Sequence, residues 1–81
     1  MKPRYIYEYR VRLLFDKAVR YGKLYVDVYS TVLKFSITYD GWEYPYIIDS
    51  LPLPKKIIAD KYSVFELISK SLSRRYELIN I

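Results

Sequence analysis

The chain has 81 residues, a formal net charge of +5 and a hydrophobic content of 52%. This length predicts one domain, and this hydrophobic content favours a folded chain over a disordered one. Because the sequence contains neither His nor Cys, it excludes disulfides, cysteine nucleophiles, histidine bases and ordinary zinc sites.

The first predicted element is a strand at about residues 4–15. All six odd positions from Tyr5 to Phe15 are apolar or aromatic, whereas the charged residues of this stretch fall on even positions. A period of two is typical of a half-buried strand. A helix over residues 8–21 is the alternative, because several apolar residues also follow helical spacing and Gly22 could end such a helix.

A second strand is predicted over residues 23–39, after a turn or a single helical turn at 16–22. Its apolar residues change parity near Ser30–Leu33. Because a bulge re-aims one half of a strand, this segment is expected to be bulged or broken into two shorter strands.

The dipeptide Asp40-Gly41 predicts a hairpin turn of type I′, in which both turn residues have positive φ. A third strand would follow at about 42–48. Pro45 has no N–H to donate to a neighbouring strand, so this strand is predicted to lie at an edge of the sheet. The residues around the turn that would project from one face are Phe35, Ile37, Tyr39, Trp42, Tyr44 and Tyr46.

Residues 49–61 are predicted to lead from the sheet to a helix in an extended conformation. They contain two prolines spaced by one residue, Pro52 and Pro54, and spaced prolines favour polyproline geometry. A stiff crossover explains this segment better than a recognition peptide for a proline-binding groove.

The helix is predicted at about 63–77. Ser63 and Glu66 have the spacing of a capping box, which is typical of a helix N-terminus. Apolar residues recur behind it at three- and four-residue spacing and predict a core-facing stripe of Phe65, Ile68, Leu72 and Tyr76. For residues 78–81 three alternatives stay open: they extend the helix, they fray, or they form a short strand.

These elements predict an α+β fold over residues 1–81, with an antiparallel sheet of three to four strands and one C-terminal helix packed on one face. No stretch is long and apolar enough to suggest a membrane span, and the first residues show no apolar signal segment. The sequence therefore predicts a soluble, cytoplasmic protein that does not bind membranes.

Some residue types are nearly absent from the chain. It has no Gln, no Cys, one Asn and one Met, and these thermolabile residues are depleted in proteins from very hot habitats. In this respect the composition resembles that of small uncharacterised proteins of hyperthermophilic archaea and their viruses. The resemblance implies such an origin, and for a viral protein it implies the cytoplasm of the host.

Charge and aromatic content suggest a binding surface. If the odd residues of the first strand face the helix, the opposite sheet face carries arginines interleaved with tyrosines. The candidate binding residues are Arg4, Arg10, Arg12, Tyr25 and Tyr29. Since tyrosine rings stack on bases and arginines neutralise phosphates, binding of DNA or RNA by this face is one hypothesis.

The favoured hypothesis is a non-catalytic protein-interaction module. A chain this short has a thin core, and Tyr, Trp and Arg are enriched at the centres of protein interfaces. The partner is predicted to be a second copy, giving a homodimer, or another protein, such as a host factor bound by a viral accessory protein. Neither catalysis nor a cofactor or metal is expected, because no carboxylates pair at a recognisable spacing and no glycine-rich phosphate loop is present.

Overall fold

A computed structural model describes all 81 residues. It contains one five-stranded antiparallel sheet and a single helix, so the predicted α+β class is confirmed, although the sheet has more strands than predicted. In chain order the elements are β1 (Tyr5–Phe15), β2 (Ala18–Val28), β3 (Val32–Tyr39), β4 (Ile47–Pro52), α1 (Lys61–Leu72) and β5 (Glu77–Asn80). The strands lie side by side in the order β4-β3-β2-β1-β5.

β1 and β2 form a long hairpin around the two-residue turn Asp16-Lys17. The strand predicted at 4–15 is confirmed, and the helical alternative over 8–21 is wrong. The broad turn predicted at 16–22 is also wrong, because the two turn residues have φ values of 49° and 68° and reverse the chain at once. Positive φ at both positions is typical of a type I′ turn. This turn was not predicted from the sequence because neither of its two residues is glycine.

Gly22 lies inside β2 rather than at the end of an element. It is buried, and in the strand register it lies between Val11 of β1 and Tyr39 of β3. A Cβ atom at this position would collide with the backbone of Thr38 and Tyr39. The glycine therefore permits a close approach of β3 to β2.

The segment predicted at 23–39 consists of two strands, β2 and β3, and β2 already begins at Ala18. Residues 29–31 connect the two strands. Val28 and Leu33, one on each side of this connection, face each other in the register and are both buried. The parity change in the sequence therefore marks a chain reversal rather than a bulge.

The connection from β3 to β4 differs from the predicted hairpin. The Trp42 N–H donates to the Tyr39 carbonyl at 3.0 Å, but only Gly41 in this turn has a positive φ, 80°, so the turn is not of type I′. The strand predicted at 42–48 is wrong in its position, because β4 starts later. The rings of Trp42 and Tyr46 pack against the ring of Tyr39 instead of extending the sheet.

β4 is an edge strand, which is the position predicted for the third strand. It takes up the first part of the predicted crossover at 49–61, since Leu51 pairs with Leu33 and Pro52 pairs with Val32 of β3. The connection from the sheet to the helix is therefore shorter than predicted.

α1 begins and ends earlier than the helix predicted at 63–77. Its N-cap is Asp60, whose Oδ1 accepts the Ser63 N–H at 2.7 Å, and Ser73 is the C-cap. Asp is as favourable an N-cap residue as Ser. The helix therefore begins one turn before the position that the capping-box pattern predicted. After α1 the chain forms β5, which is the short-strand alternative for the C-terminal residues. No helix of the structure is long and apolar enough to cross a membrane.

The core lies between one face of the sheet and α1. Its members are Tyr9, Val11, Leu13, Leu24, Val26, Val28, Leu33, Phe35, Ile37, Tyr39, Val64, Phe65, Ile68 and Leu78. The hydroxyls of Tyr7 and Tyr9 donate to the carbonyls of Ala59 and Lys61, each at 2.7 Å, and fix the start of α1 above β1. The opposite face of the sheet is covered by no element of the chain.

Candidate interaction surface

The uncovered side of the sheet, here called the open face, follows from the strand register. Successive side chains on a strand point to opposite faces, and the buried residues of β1, β2 and β3 all face α1. The main side chains of the open face are Ile6, Glu8, Arg10, Arg12, Leu14, Val19, Tyr21, Lys23, Tyr25, Asp27, Lys34 and Ile48.

The structure brings most of the predicted binding residues together. Arg10, Arg12 and Tyr25 lie on the open face. Tyr29 lies just beyond β2, and the Lys34 Nζ is 5.3 Å from its ring centroid. Arg4 is separate, because its guanidinium lies 6.0 Å from the ring of Tyr5 and lines a cleft on the helix side of the sheet.

The arginine at the centre of the predicted site is engaged in a bidentate ion pair. The two terminal nitrogens of Arg10 donate to the two carboxylate oxygens of Asp40 at 2.6 and 2.5 Å, and Nη1 also donates to the Gly22 carbonyl at 3.2 Å. These hydrogen bonds lower the pKa of the Asp40 carboxyl and raise the pKa of the Arg10 guanidinium. The sequence did not predict this pair, since its members are thirty positions apart.

The other cations of the open face also have acidic neighbours. Arg12 lies 3.8 Å from Glu77 of β5, and Lys23 lies 3.8 Å from Glu8. Lys34 faces Asp27 in the β2–β3 register. Arg10, Arg12 and Lys23 therefore each lie within 4 Å of a carboxylate, Lys34 has one opposite it in the register, and the surface as a whole carries no excess positive charge.

Apolar side chains surround these charges. Ile6 is 70% exposed and Ile48 is 75% exposed, on opposite sides of the open face, and Val19 is half exposed. Tyr21 and Tyr25 are exposed between them. Single exposed apolar side chains are common on protein surfaces, so the open face is a candidate interface because these side chains lie on a sheet face that no element of the chain covers.

The β4 edge of the sheet is poorly suited to pairing with another strand. At β4, Pro52 has no N–H, and the Ser50 N–H is taken by the Asp49 carboxylate at 2.8 Å. At the other edge, β5 pairs with β1 over Val11–Leu14, so the first half of β1 and the outer side of β5 have no strand partner there. Because its N–H donors are missing or already bonded, the β4 edge is protected against the addition of another strand.

A second surface, which the sequence did not predict as a site, lies at the end of the sheet that carries the β1–β2 turn. Here the aromatic cluster is formed by Phe15, Tyr39, Trp42, Tyr46 and Tyr76, with ring centroids 4.8 to 6.5 Å apart. Arg20 lies 5.4 Å from the Tyr39 ring and 5.9 Å from the Trp42 ring. Burial raises the pKa of Tyr39 to about 12.

Part of the aromatic cluster was visible in the sequence. The alternation around Asp40-Gly41 placed Tyr39, Trp42 and Tyr46 on one side, and the structure brings these three rings together. Phe15 and Tyr76 come from distant parts of the chain, so no local pattern could have added them.

The remaining carboxylates do not converge. No group of three or more Asp or Glu side chains lies close enough to hold a metal ion. No protein-family model matches the chain, and comparisons with curated proteins and with solved structures find no match either.

Proposed function

We propose that this protein is a non-catalytic interaction module that associates with itself through the open face. The observation that carries the proposal is the uncovered sheet face, which combines exposed Ile6 and Ile48 with balanced charges. A sheet is stable when its apolar surface is covered by a second layer. One face of this sheet has α1 as its second layer, and a second copy of the chain would supply the layer for the other.

The distribution of charge along the strands favours a second copy as the partner. At one end of the open face three cations, Arg10, Arg12 and Lys23, lie with two carboxylates, Asp40 and Glu77, and at the other end two carboxylates, Glu8 and Asp27, lie with one cation, Lys34. One end therefore keeps a small excess of positive charge and the other a small excess of negative charge. If two copies stack with their strand directions reversed, the basic end of each meets the acidic end of its partner. Such an arrangement has two-fold symmetry, which is the commonest symmetry of soluble oligomers.

The size of the open face is also adequate. The two longer dimensions of the molecule are 35 and 25 Å. A face of this extent offers an area of the same order as the roughly 800 Å² per partner that a standard interface buries. A host factor bound by a viral accessory protein would use the same surface, but the self-complementary charge pattern favours the homodimer.

Nucleic-acid binding through the open face is the weaker proposal. Polyanion binding draws its affinity from unmatched cations that release counterions. Arg10 and Arg12 both have carboxylate neighbours here, so a phosphate would have to displace an existing ion pair.

The test of the proposal is the mass of the protein in solution. Multi-angle light scattering between low-micromolar and submillimolar concentrations is expected to show a monomer–dimer equilibrium. Added salt should weaken the dimer without abolishing it, since charge and apolar contacts both contribute. A monomer at every concentration would overturn self-association through this face.

A further inference from the structure

The aromatic cluster and Arg20 lie on the helix side of the sheet and take no part in the open face. We infer that they form a binding site for single-stranded nucleic acid, in which one base stacks on the exposed ring of Trp42 and the adjoining phosphate pairs with Arg20. The inference does not depend on the proposed function.

The first support is the shape of the site. A shallow cavity of about 280 Å³ is lined by Phe15, Ala18, Tyr39, Trp42 and Tyr46, together with the charged Asp16 and Arg20. Trp42 stands nearly perpendicular to Tyr39 and Tyr46, at 85° and 84°, so the stacked tyrosines and the indole form two walls. Trp42 is 48% exposed and leaves much of its surface free for a planar ligand.

The second support is the state of Arg20. Unlike Arg10 and Arg12 on the open face, Arg20 forms no salt bridge and no side-chain hydrogen bond. Its guanidinium is held near the rings of Tyr39 and Trp42 by cation–π contacts. All its donors remain available, and a guanidinium beside an exposed ring, here that of Trp42, is the combination that binds a phosphate next to a stacked base.

The third support is the charge around the cavity. Lys17 lies next to the cavity in the β1–β2 turn. Arg75 directly precedes Tyr76 of the aromatic cluster. Burial raises the pKa of Tyr76, and the positive charge of Arg75 opposes this effect. Neither cation has a carboxylate partner. Asp40 and Glu77 also adjoin cluster residues but pair with Arg10 and Arg12. The unpaired acidic residues next to the cluster are Asp16 in the cavity wall and Glu43 after Trp42, so unpaired cations outnumber unpaired anions.

A nucleic acid fits these features better than a peptide does. A peptide would need both an aromatic residue and a carboxylate at the right spacing to occupy the ring surface and to pair with Arg20. A nucleotide unit satisfies both, because every base has a planar face and every phosphate is an acceptor. A free mononucleotide would engage only this one unit, whereas a strand also reaches Lys17 and Arg75, so a single strand is the occupant we assign.

The single tryptophan makes the site directly observable. Trp42 is the only Trp in the chain, so its fluorescence reports on this cavity alone. Titration of the wild-type protein with a deoxythymidine decamer at low salt is expected to quench the emission to saturation. The affinity should fall steeply as salt rises. A decamer of the same length without bases is expected to bind at least roughly tenfold more weakly, because it cannot stack.

Variants then locate the binding. Arg20→Ala is expected to weaken decamer binding roughly tenfold or more. The matched control is Lys56→Ala, which removes the same charge from the loop before α1 and is expected to leave decamer binding unchanged. Equal loss in the two variants, equal binding of the decamer without bases, or no quenching at low salt would overturn the inference. Quenching by thymidine monophosphate as tight as that by the decamer would overturn the assignment to a strand. Because the wild-type comparison of the two decamers needs no variant, it decides the question even if Arg20→Ala does not fold.

Discussion

Arg10 and Asp40 form a bidentate ion pair that crosses β2, with nitrogen–oxygen distances of 2.6 and 2.5 Å. The pair links β1 to the turn after β3, and the Gly22 carbonyl of β2 accepts a further bond from the same guanidinium. One arginine therefore ties three consecutive strands on the open face, and its charge is neutralised where a phosphate would have to bind.

This pair predicts a specific pH dependence of stability. The pKa of Asp40 is lowered from its ordinary value of 3.8 by the hydrogen bonds from Arg10. A carboxyl with a depressed folded-state pKa stabilises the fold above the unfolded-state pKa and loses this effect as pH falls through the folded-state pKa. Asp40→Asn should therefore unfold at a lower temperature than wild type at pH 7, by a small margin because the pair is exposed.

The difference should shrink as the pH falls below 3.8, which thermal unfolding followed by circular dichroism will show. Glu43→Gln is the matched control, since Glu43 lies in the adjacent loop without a cationic partner. A difference for Asp40→Asn that persists unchanged at pH 2 would show that the ion pair is not its cause.

The buried tyrosines predict the behaviour at alkaline pH. Burial raises the pKa of both Tyr9 and Tyr39 above the ordinary value of 10.0, that of Tyr39 to about 12. A raised folded-state pKa means that stability is complete below the unfolded-state pKa and declines as pH rises above it. The fold should therefore weaken above pH 10, and an absorbance titration should show tyrosinate forming late.

Tyr9→Phe and Tyr39→Phe should each reduce the amplitude of this late absorbance change by the contribution of one tyrosine. Circular dichroism at the same pH values separates ionisation in the folded protein from ionisation caused by unfolding. An unchanged late amplitude in Tyr39→Phe would contradict the burial of this hydroxyl.

The two glycines predict different costs for the same substitution. Gly22→Ala places a Cβ against the backbone of Thr38 and Tyr39, and such overpacking costs about 1–3 kcal/mol. Gly41→Ala meets no neighbouring atom, and its cost of about 1 kcal/mol comes from the positive φ alone. Urea unfolding of both variants should rank Gly22→Ala as the less stable, and the opposite order would contradict the register of β2 and β3.

The start of α1 can be tested in the same way. Asp60→Ala removes the carboxylate that caps the Ser63 N–H and should cost about 1 kcal/mol. Ser63→Ala should cost clearly less, because Ser63 contributes its backbone to the cap and its hydroxyl lies 3.4 Å from Asp60. The urea midpoints of the two variants measure these costs. A larger loss of stability in Ser63→Ala than in Asp60→Ala would favour Ser63 as the N-cap, as the capping box predicted.

The sequence predicted those elements whose signal is local and repeated. β1 was found because apolar or aromatic residues occupy all six odd positions of the strand. The four residues of β5 are too few to carry a period and became a strand only through pairing with β1. The Asp16-Lys17 turn was missed because its left-handed residues are not glycines, and the position of β4 was missed because Trp42 packs on Tyr39 after the turn.

The candidate surfaces depended still more on tertiary structure. The alternation placed Arg10, Arg12 and Tyr25 on one face, but it could not show that Asp40 neutralises the first of these. A local pattern also could not show that Arg20 stays free of carboxylates. The charge of a surface is set by pairs that are distant in the sequence, so the sequence located basic residues without showing which of them are available.

The most direct test of self-association through the open face compares two isoleucines of equal exposure. Ile48 lies on the open face and is 75% exposed, whereas Ile58 lies on the helix side and is 76% exposed. Sedimentation equilibrium of wild type, Ile48→Lys and Ile58→Lys at one concentration should give the mass of a dimer for wild type and Ile58→Lys. Ile48→Lys should give the mass of a monomer. A monomeric wild type, or two variants of equal mass, would contradict the proposal.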